Sequence, residues 1–178
     1  MTMAHRAFAF DSTKFHDDLR PVLLHALQTT DTAALRSWID ANLSQLVDPD
    51  EGEPLPKNWQ RSLAVGDVHE LGDYALTKYY DGDLDIGLDV DWEDVGELLE
   101  KSGLDPALTL GAQLGQDDAP FDPGHQGSYF QTAAEVTAAL AQLQSLLQAQ
   151  PALATQLAPL QGMFQQAARH RCGLYVTF

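Results

Sequence analysis

Residues 81–92 read Asp-Gly-Asp-Leu-Asp-Ile-Gly-Leu-Asp-Val-Asp-Trp, and the predicted fold is organised around this segment. Its apolar residues occupy alternate positions from Leu84 to Trp92, with aspartate or glycine between them. Successive side chains of a strand point to opposite faces, so the alternation predicts a strand with one apolar and one acidic face. The segment therefore predicts a strand in the middle of the chain.

The segments on either side predict a mixed α and β protein. Arg6–Phe10 and 174–178 are short and apolar, as is typical of strands. Apolar residues at helical spacing predict helices between them, at about 12–26 with a break at Pro21, 35–46, 68–79, 93–102, 133–150 and 152–170. A short helical piece follows Trp59 and ends near Gly66. We expect one α+β domain over residues 1–178, with a small mixed or antiparallel sheet and five to seven helices.

Local signals refine this outline. Asp67–Glu70 and Thr132–Glu135 both have capping-box spacing, which marks the start of a helix. Residues 47–56 and 115–128 are rich in proline, glycine and aspartate, which predicts two long loops. The sequence does not decide the structure of residues 104–114, which fit either a helical turn beginning at Asp105-Pro106 or a strand.

Composition excludes several classes of partner. The chain carries 26 acidic and 10 basic residues, a net charge of −16. Nucleic acids and anionic membranes require clustered Lys and Arg, so neither is an expected partner. A basic protein partner, bound cations and simple solubility all fit this charge. No apolar run reaches the ~20 residues of a membrane helix, no signal peptide is evident, and Cys172 is the only cysteine, so we expect a cytoplasmic protein.

The acidic residues of the 81–92 segment are the first candidate site. Hard carboxylate ligands suit divalent cations, and the candidates here are Asp83, Asp85, Asp89, Asp91 and Glu93. The EF-hand spacing fails, because isoleucine occupies the position that requires glycine and tryptophan the position that requires glutamate. A solvated strand face, whose charges discourage aggregation, is the favoured interpretation, and we assign no metal site.

His125 is the second candidate, because it follows Pro-Gly in the 115–128 loop and could transfer protons near neutral pH. Cys172 follows three cationic residues but stands in no nucleophile motif, and we interpret it as structural. The sequence contains no phosphate loop, dinucleotide fingerprint or Gly-x-Ser-x-Gly motif, so we expect no cofactor.

The two ends of the chain resemble the YfbM-like family of bacterial proteins. The similar features are the opening strand and helix, the 129–136 stretch Tyr-Phe-Gln-Thr-Ala-Ala-Glu-Val after a Gly/Asp-rich loop, where a helix begins, and a late helix carrying Ala167-Ala168 before the closing strand. The resemblance implies a small cytoplasmic bacterial α+β protein. It transfers no site residues to this chain.

Two functions follow as hypotheses. The first is a non-enzymatic protein that binds a basic protein through the acidic residues 81–93 and the acidic loop 47–56, an inhibitor of a basic toxin being one version. The alternative is a divalent-metal-dependent hydrolase that uses Asp89, Asp91 and Glu93, with His125 as acid or base. A purely structural role, with the acidic face only solvated, is a third possibility.

Overall fold

The fold is α+β, as predicted. The computed structural model describes residues 3–61 and 67–178, which form seven α-helices and five strands. The helices are α1 (Ser12–Asp17), α2 (Arg20–Thr29), α3 (Ala33–Asn42), α4 (Val68–Leu76), α5 (Trp92–Lys101), α6 (Ala133–Ala149) and α7 (Ala154–Arg169). The strands are β1 (Arg6–Phe10), β2 (Gly115–Gln116), β3 (Ala119–Pro120), β4 (Ser128–Gln131) and β5 (Gly173–Thr177). In the described ranges no helix is long and apolar enough to cross a bilayer.

The main sheet is antiparallel with the order β1-β5-β4, so the closing strand lies in its centre. Phe8 of β1 and Phe130 of β4 both pair with Tyr175 of β5. The terminal strands were predicted, whereas β4 was not, because the 129–136 stretch was interpreted only as the start of a helix capped at Thr132. Thr132 caps α6 only after β4 has ended. The second sheet is a ribbon of β2 and β3 within the predicted 115–128 loop.

The two faces of the sheet cover separate hydrophobic cores. Phe8, Phe10 and Tyr175 project toward a core that contains buried residues of α1–α4. Ala7, Leu174 and Val176 project to the other side, where residues of α5, α6 and α7 are buried. This separation follows from the period of two along each strand. The sheet is therefore the middle layer between two groups of helices.

The strand predicted for the 81–92 segment is wrong. Asp89 forms one isolated bridge with His5, and the rest of the segment is irregular. Leu84 and Val90, which belong to the predicted apolar face, are 63% and 53% exposed. Turns at both ends and the positive φ of Asp89 (54°) prevent a regular pleat.

The 81–92 segment instead covers the free edge of β1. Ile86 N donates to Ala7 O at 2.8 Å, and His5 exchanges two backbone hydrogen bonds with Asp89. Asp85 Oδ1 accepts from the backbone N–H of Ala7 and of Gly87, at 3.1 and 2.9 Å. Covering an edge in this way removes unpaired donors and acceptors that could template aggregation.

Most local signals are confirmed. Thr132 and Glu135 form both hydrogen bonds of a capping box, and Asp67 accepts from the first N–H groups of α4. The predicted 12–26 helix is divided into α1 and α2, with Pro21 in the first turn of α2.

The structure also resolves two short segments. Residues 104–114 combine both alternatives, a 3₁₀ turn at Pro106–Thr109 and a bridge from Ala112 to Phe130. The helical piece after Trp59 is confirmed to Arg61, and its predicted end lies outside the described residues.

His5 joins the 81–92 segment to the rest of the protein. Its side chain is 1% exposed. Nδ1 accepts from Leu88 N at 3.1 Å, so the proton of the neutral ring is on Nε2, which donates to Thr109 O at 2.8 Å. Burial lowers the pKa of His5 below its usual 6.5.

We expect His5 to make the protein sensitive to acid. Because its pKa is lower in the folded than in the unfolded state, its contribution to stability is complete above about pH 6.5 and is lost as the pH falls toward the folded pKa. Urea unfolding at pH 7.5 and 5.0 should show a smaller acid-induced loss in His5→Gln than in the wild type. The exposed His25→Gln is the control, and equal losses in His5→Gln and the wild type would contradict this role.

Candidate functional site: an acidic cleft beside the sheet

A cleft of about 520 Å³ lies beside the first core, and we call it the acidic cleft. The sheet supplies aromatic residues of β1 and β5, and α4 supplies His69, Glu70 and Asp73. The wall also includes residues 49–50 and 122–126, together with Tyr80 and Gly82. A Cβ on Gly72 would lie 2.5 Å from Phe121 Cε2 and 2.9 Å from Leu23 Cδ1, so this glycine permits the close packing that positions α4. The cleft is thus built by parts of the chain that are distant in sequence.

Carboxylates dominate the charge of the cleft. Among the described residues, five acids line it, against one arginine; the acids are Asp50, Asp67, Glu70, Asp73 and Asp122. Two of these carboxylates already accept local backbone hydrogen bonds, since Asp67 caps α4 and Asp122 accepts from Gly127 N at 2.8 Å. Such bonds hold the wall in place, and the acids outnumber the single arginine among the described residues of the cleft.

Asp73 is the most perturbed acid of the cleft. Its side chain is partly buried, and burial, followed by the negative charges of Asp50, Asp48 and Glu70, raises its pKa to about 7. Within the described part of the chain, no hydrogen bond or salt bridge to this carboxyl offsets that effect. Its neutral form is therefore favoured below about pH 7, and a cation placed beside it would favour the ionised form.

A cluster of three aromatic rings borders these acids, in which Tyr80 is half-buried while Phe8 and Tyr175 are buried. The ring of Tyr80 lies 4.9 Å from that of Phe8 and 5.3 Å from that of Tyr175, measured between centroids. Burial and the negative charge of Asp73 raise the pKa of both tyrosines, so their phenols are neutral at physiological pH. Aromatic faces beside carboxylates attract cations through the ring quadrupole as well as through charge.

Arg6 shows how a guanidinium fits beside these rings. Its Cζ lies 5.2 Å from the centroid of the Phe8 ring, and its Nε donates to Asp85 Oδ2 at 3.2 Å. The pair is about half exposed, so its contribution to stability is small. The arrangement nevertheless combines one aromatic face and one carboxylate around an arginine, at the rim of the acidic cleft.

A buried hydroxyl lies behind these rings. Ser128 is 0% exposed, and its Oγ is within reach of the Tyr175 hydroxyl, although no described group completes a well-aligned hydrogen bond with it. Ser128 pairs with Thr177, which is two residues from Tyr175, so all three side chains point to the face of the sheet that borders the cleft. The neighbouring hydroxyls of Ser128 and Thr177 oppose the burial effect on the Tyr175 pKa without reversing it.

Two histidines complete the wall. His69 Nδ1 accepts from Asp122 N at 3.1 Å, which places the proton of the neutral ring on Nε2. Its ring stacks on Phe121 with a centroid distance of 5.9 Å. His125 is exposed and has a left-handed backbone (φ 56°) after Pro123-Gly124.

The structure separates the residues that the sequence grouped. Asp83 and Asp85 border a groove against α7, whereas Asp91 borders a different hollow beside Lys101 of α5. Glu93 is exposed in the first turn of α5, and the backbone of Asp89 pairs with His5. Of the six predicted site residues only His125 lines the acidic cleft. In residues 3–61 and 67–178, no three His, Cys, Asp or Glu side chains are grouped so that they could hold a metal ion.

Asp73 and Glu70 were not identified as site residues by the sequence analysis. The period of α4 assigned its apolar residues to the core and left these polar side chains as ordinary surface. Asp50 lies in the acidic loop 47–56, which was part of the predicted binding surface. The available signal was the Glu70–Asp73 spacing of three residues, which places two carboxylates on one helix face.

Neither a known protein family, nor a curated protein, nor a solved structure matches this chain. The resemblance to the YfbM-like family therefore stays a prediction. Any functional assignment depends on the chemistry of the acidic cleft itself.

Proposed function

We propose that this chain is a non-enzymatic binding protein whose acidic cleft receives an arginine side chain from a basic protein partner. The observation that carries the proposal is Asp73, a partly buried carboxyl that makes no salt bridge with a described residue and feels the negative charges of Asp50, Asp48 and Glu70. A cation in the cleft would relieve the repulsion between these carboxyl groups.

Arginine fits the cleft better than lysine does. Its planar guanidinium stacks on aromatic rings and donates to carboxylates through several N–H groups, whereas an ammonium is a compact, strongly hydrated charge. Tyr80, which is half-buried and backed by the buried rings of Phe8 and Tyr175, offers a stacking surface, and the carboxyl groups of Asp50, Glu70 and Asp73 offer the acceptors. The contacts of Arg6 with Phe8 and Asp85 provide an example of this chemistry within the same chain.

The net charge of −16 supports a basic protein as the source of that arginine. Opposite charges on two proteins accelerate their encounter, and salt weakens this effect. The carboxylates of residues 81–93 would then contribute to attraction at a distance, and the acidic cleft would hold the inserted side chain. An inhibitor of a basic protein is one form that such a function can take.

The test uses an acetylated and amidated tetra-arginine peptide and a matched citrulline peptide, which keeps the shape but lacks the charge. We expect the wild type to bind the arginine peptide and Asp50→Lys to weaken binding about tenfold or more at low salt, because the variant replaces an attraction with a repulsion. Isothermal titration calorimetry at two salt concentrations measures the effect.

Asp83→Lys is the matched control, because it makes the same charge change at an exposed position outside the acidic cleft. Long-range attraction alone would weaken binding equally in both lysine variants. A larger effect of Asp83→Lys would assign the binding surface to residues 81–93 instead. Equal binding of the arginine and citrulline peptides would reject recognition of a cation.

A further inference from the structure

The buried ring of His5 ties the 81–92 segment to the edge of β1 through a hydrogen bond that only the neutral ring can make. We infer that this segment is a pH-operated cover, which leaves the edge of β1 when His5 takes up a proton while the two cores stay folded. The proton comes from the solvent and bonds to the lone pair of Nδ1. The inference rests on the hydrogen bonds of His5 and does not depend on the acidic cleft.

The two ring nitrogens of His5 have opposite roles. Nδ1 accepts from the backbone N–H of Leu88 at 3.1 Å, and Nε2 donates to Thr109 O at 2.8 Å. In the charged ring both nitrogens carry a hydrogen, so the N–H of Leu88 would face a second donor. Rotating the ring by 180° restores no acceptor, because either nitrogen is then a donor. Protonation therefore preserves the contact with Thr109 and breaks the contact with the 81–92 segment.

The surroundings of His5 favour the neutral ring. Its side chain is 1% exposed, and burial is the largest influence on its pKa, which it lowers. Trp92 and Phe178 contribute rings, at 6.4 and 5.8 Å between centroids. Among the described residues, Asp85 is the charged side chain that favours the charged ring, but its effect is small and it is already paired with Arg6. A charged His5 is therefore more stable in water than in its buried position.

Few contacts of the segment itself would oppose its release. Leu88 is buried, whereas Leu84 and Val90 are 63% and 53% exposed. The exposed Asp89 pairs with His5 through its backbone and has a left-handed φ of 54°. This conformation is unfavourable for a residue with a side chain, and release would relieve it. The segment is thus a part of the fold that can open by itself.

Release of the segment would open the edge of the main sheet. Ile86 N donates to Ala7 O, and Ala7 N donates to Asp85 Oδ1. Both backbone groups of Ala7 would lose these partners and face the solvent. Acid thereby exposes a sheet edge that the protein keeps covered at neutral pH.

Hydrogen exchange of backbone amides, measured by NMR at pH 7.5 and 5.0 and at several low urea concentrations, tests this release. Protection is expressed relative to an unstructured chain, which removes the direct effect of pH on exchange. We expect the amides of Ile86, Leu88 and Asp89 to share one opening that depends little on urea. This opening should be more frequent than that of Tyr175 in the central strand. Its frequency should rise about tenfold or more from pH 7.5 to 5.0, because the open state exposes a histidine with an ordinary pKa of about 6.5.

Two comparisons assign the effect to His5. His5→Gln should abolish the rise in opening, whereas His25→Gln, at an exposed position, should retain it. The wild type alone provides the second comparison, because an exposed histidine begins the rise near pH 6.5 and a carboxyl group would begin it near pH 4, both approximate values.

Three outcomes would overturn the inference. The first is a rise that begins only near pH 4 or persists in His5→Gln, since another group would then control the opening. The second is an opening that frees Leu88 and Asp89 but leaves Ile86 protected, because the N-terminal residues would then move instead of the segment. The third is equal protection and equal urea dependence for the segment and Tyr175, because the segment would then open only when the whole fold does.

Discussion

Replacing Gly87 by alanine is expected to destabilise the protein by about 3 kcal/mol, because a side chain at this position has no space. A Cβ on Gly87 would overlap the carbonyl oxygen of His5 and lie 2.8 Å from both Ala7 N and Arg6 Cα. All three atoms belong to the backbone, so they cannot move aside without breaking the hydrogen bonds along β1. The 81–92 segment would have to withdraw from the edge of the sheet.

Urea unfolding at pH 7.5 measures this effect, and Gly82→Ala is the matched control. Gly82 lies in the same segment, and the nearest atom to an added Cβ, Tyr80 Cε2, is 3.9 Å away. We expect the control to remain within about 0.5 kcal/mol of the wild type. A comparably small change for Gly87→Ala would mean that the segment is not packed on β1 in solution. If the edge is released, Gly87→Ala should also aggregate more readily on partial unfolding.

Asp73→Asn is expected to stabilise the protein at neutral pH. The pKa of Asp73 is about 7 in the folded protein against 3.8 for an unperturbed aspartate, a difference that corresponds to about 4 kcal/mol for a fully buried group. Solvent screening of this partly buried side chain reduces the expected gain to about 2–3 kcal/mol. Asparagine has no charge to desolvate and therefore escapes the penalty.

The sign of the pH dependence distinguishes this explanation from a general effect of the substitution. The folded state binds the Asp73 proton more tightly than the unfolded state, so its contribution to stability is complete below about pH 4 and disappears as the pH rises through about 7. The advantage of Asp73→Asn should therefore be close to zero at pH 4 and largest at pH 8. Asp83→Asn, at an exposed position, should show no such trend. A stability advantage that is the same at both pH values would show that desolvation of Asp73 is not its cause.

Periodicity and capping predicted the parts of this fold that depend on neighbouring residues. The apolar spacing of α4 and α6 identified their buried faces, and Asp67 and Thr132 marked where these helices begin. Both signals act within one or two turns of chain, and a single sequence contains all of the information that they need.

The 81–92 segment shows why the same approach failed elsewhere. Its alternation is real, but Leu84 and Val90 are exposed because Gly87 and the turns at Asp81 and Asp89 decide its path. Contacts with His5 and Ala7, about 80 residues earlier in the chain, hold it in place. The acidic cleft was hidden for the same reason, since Asp50, Asp73 and Tyr175 are brought together only by packing. The spacing of residues along the sequence does not show which distant residues pack together in the fold.

The position of β5 has a consequence for biosynthesis. This strand of five residues pairs with β1 on one side and β4 on the other, and Phe10 meets Gly173 across most of the chain. A ribosome that adds about 5–20 residues per second delivers β5 many seconds after β1. Until then β1 and β4 have no central strand to join them. The apolar side chains on both faces of these strands are then exposed and can bind chaperones. Because β5 contributes residues to both cores, we expect a nascent chain that stops before Gly173 to remain a substrate for proteolysis rather than to accumulate with one core formed.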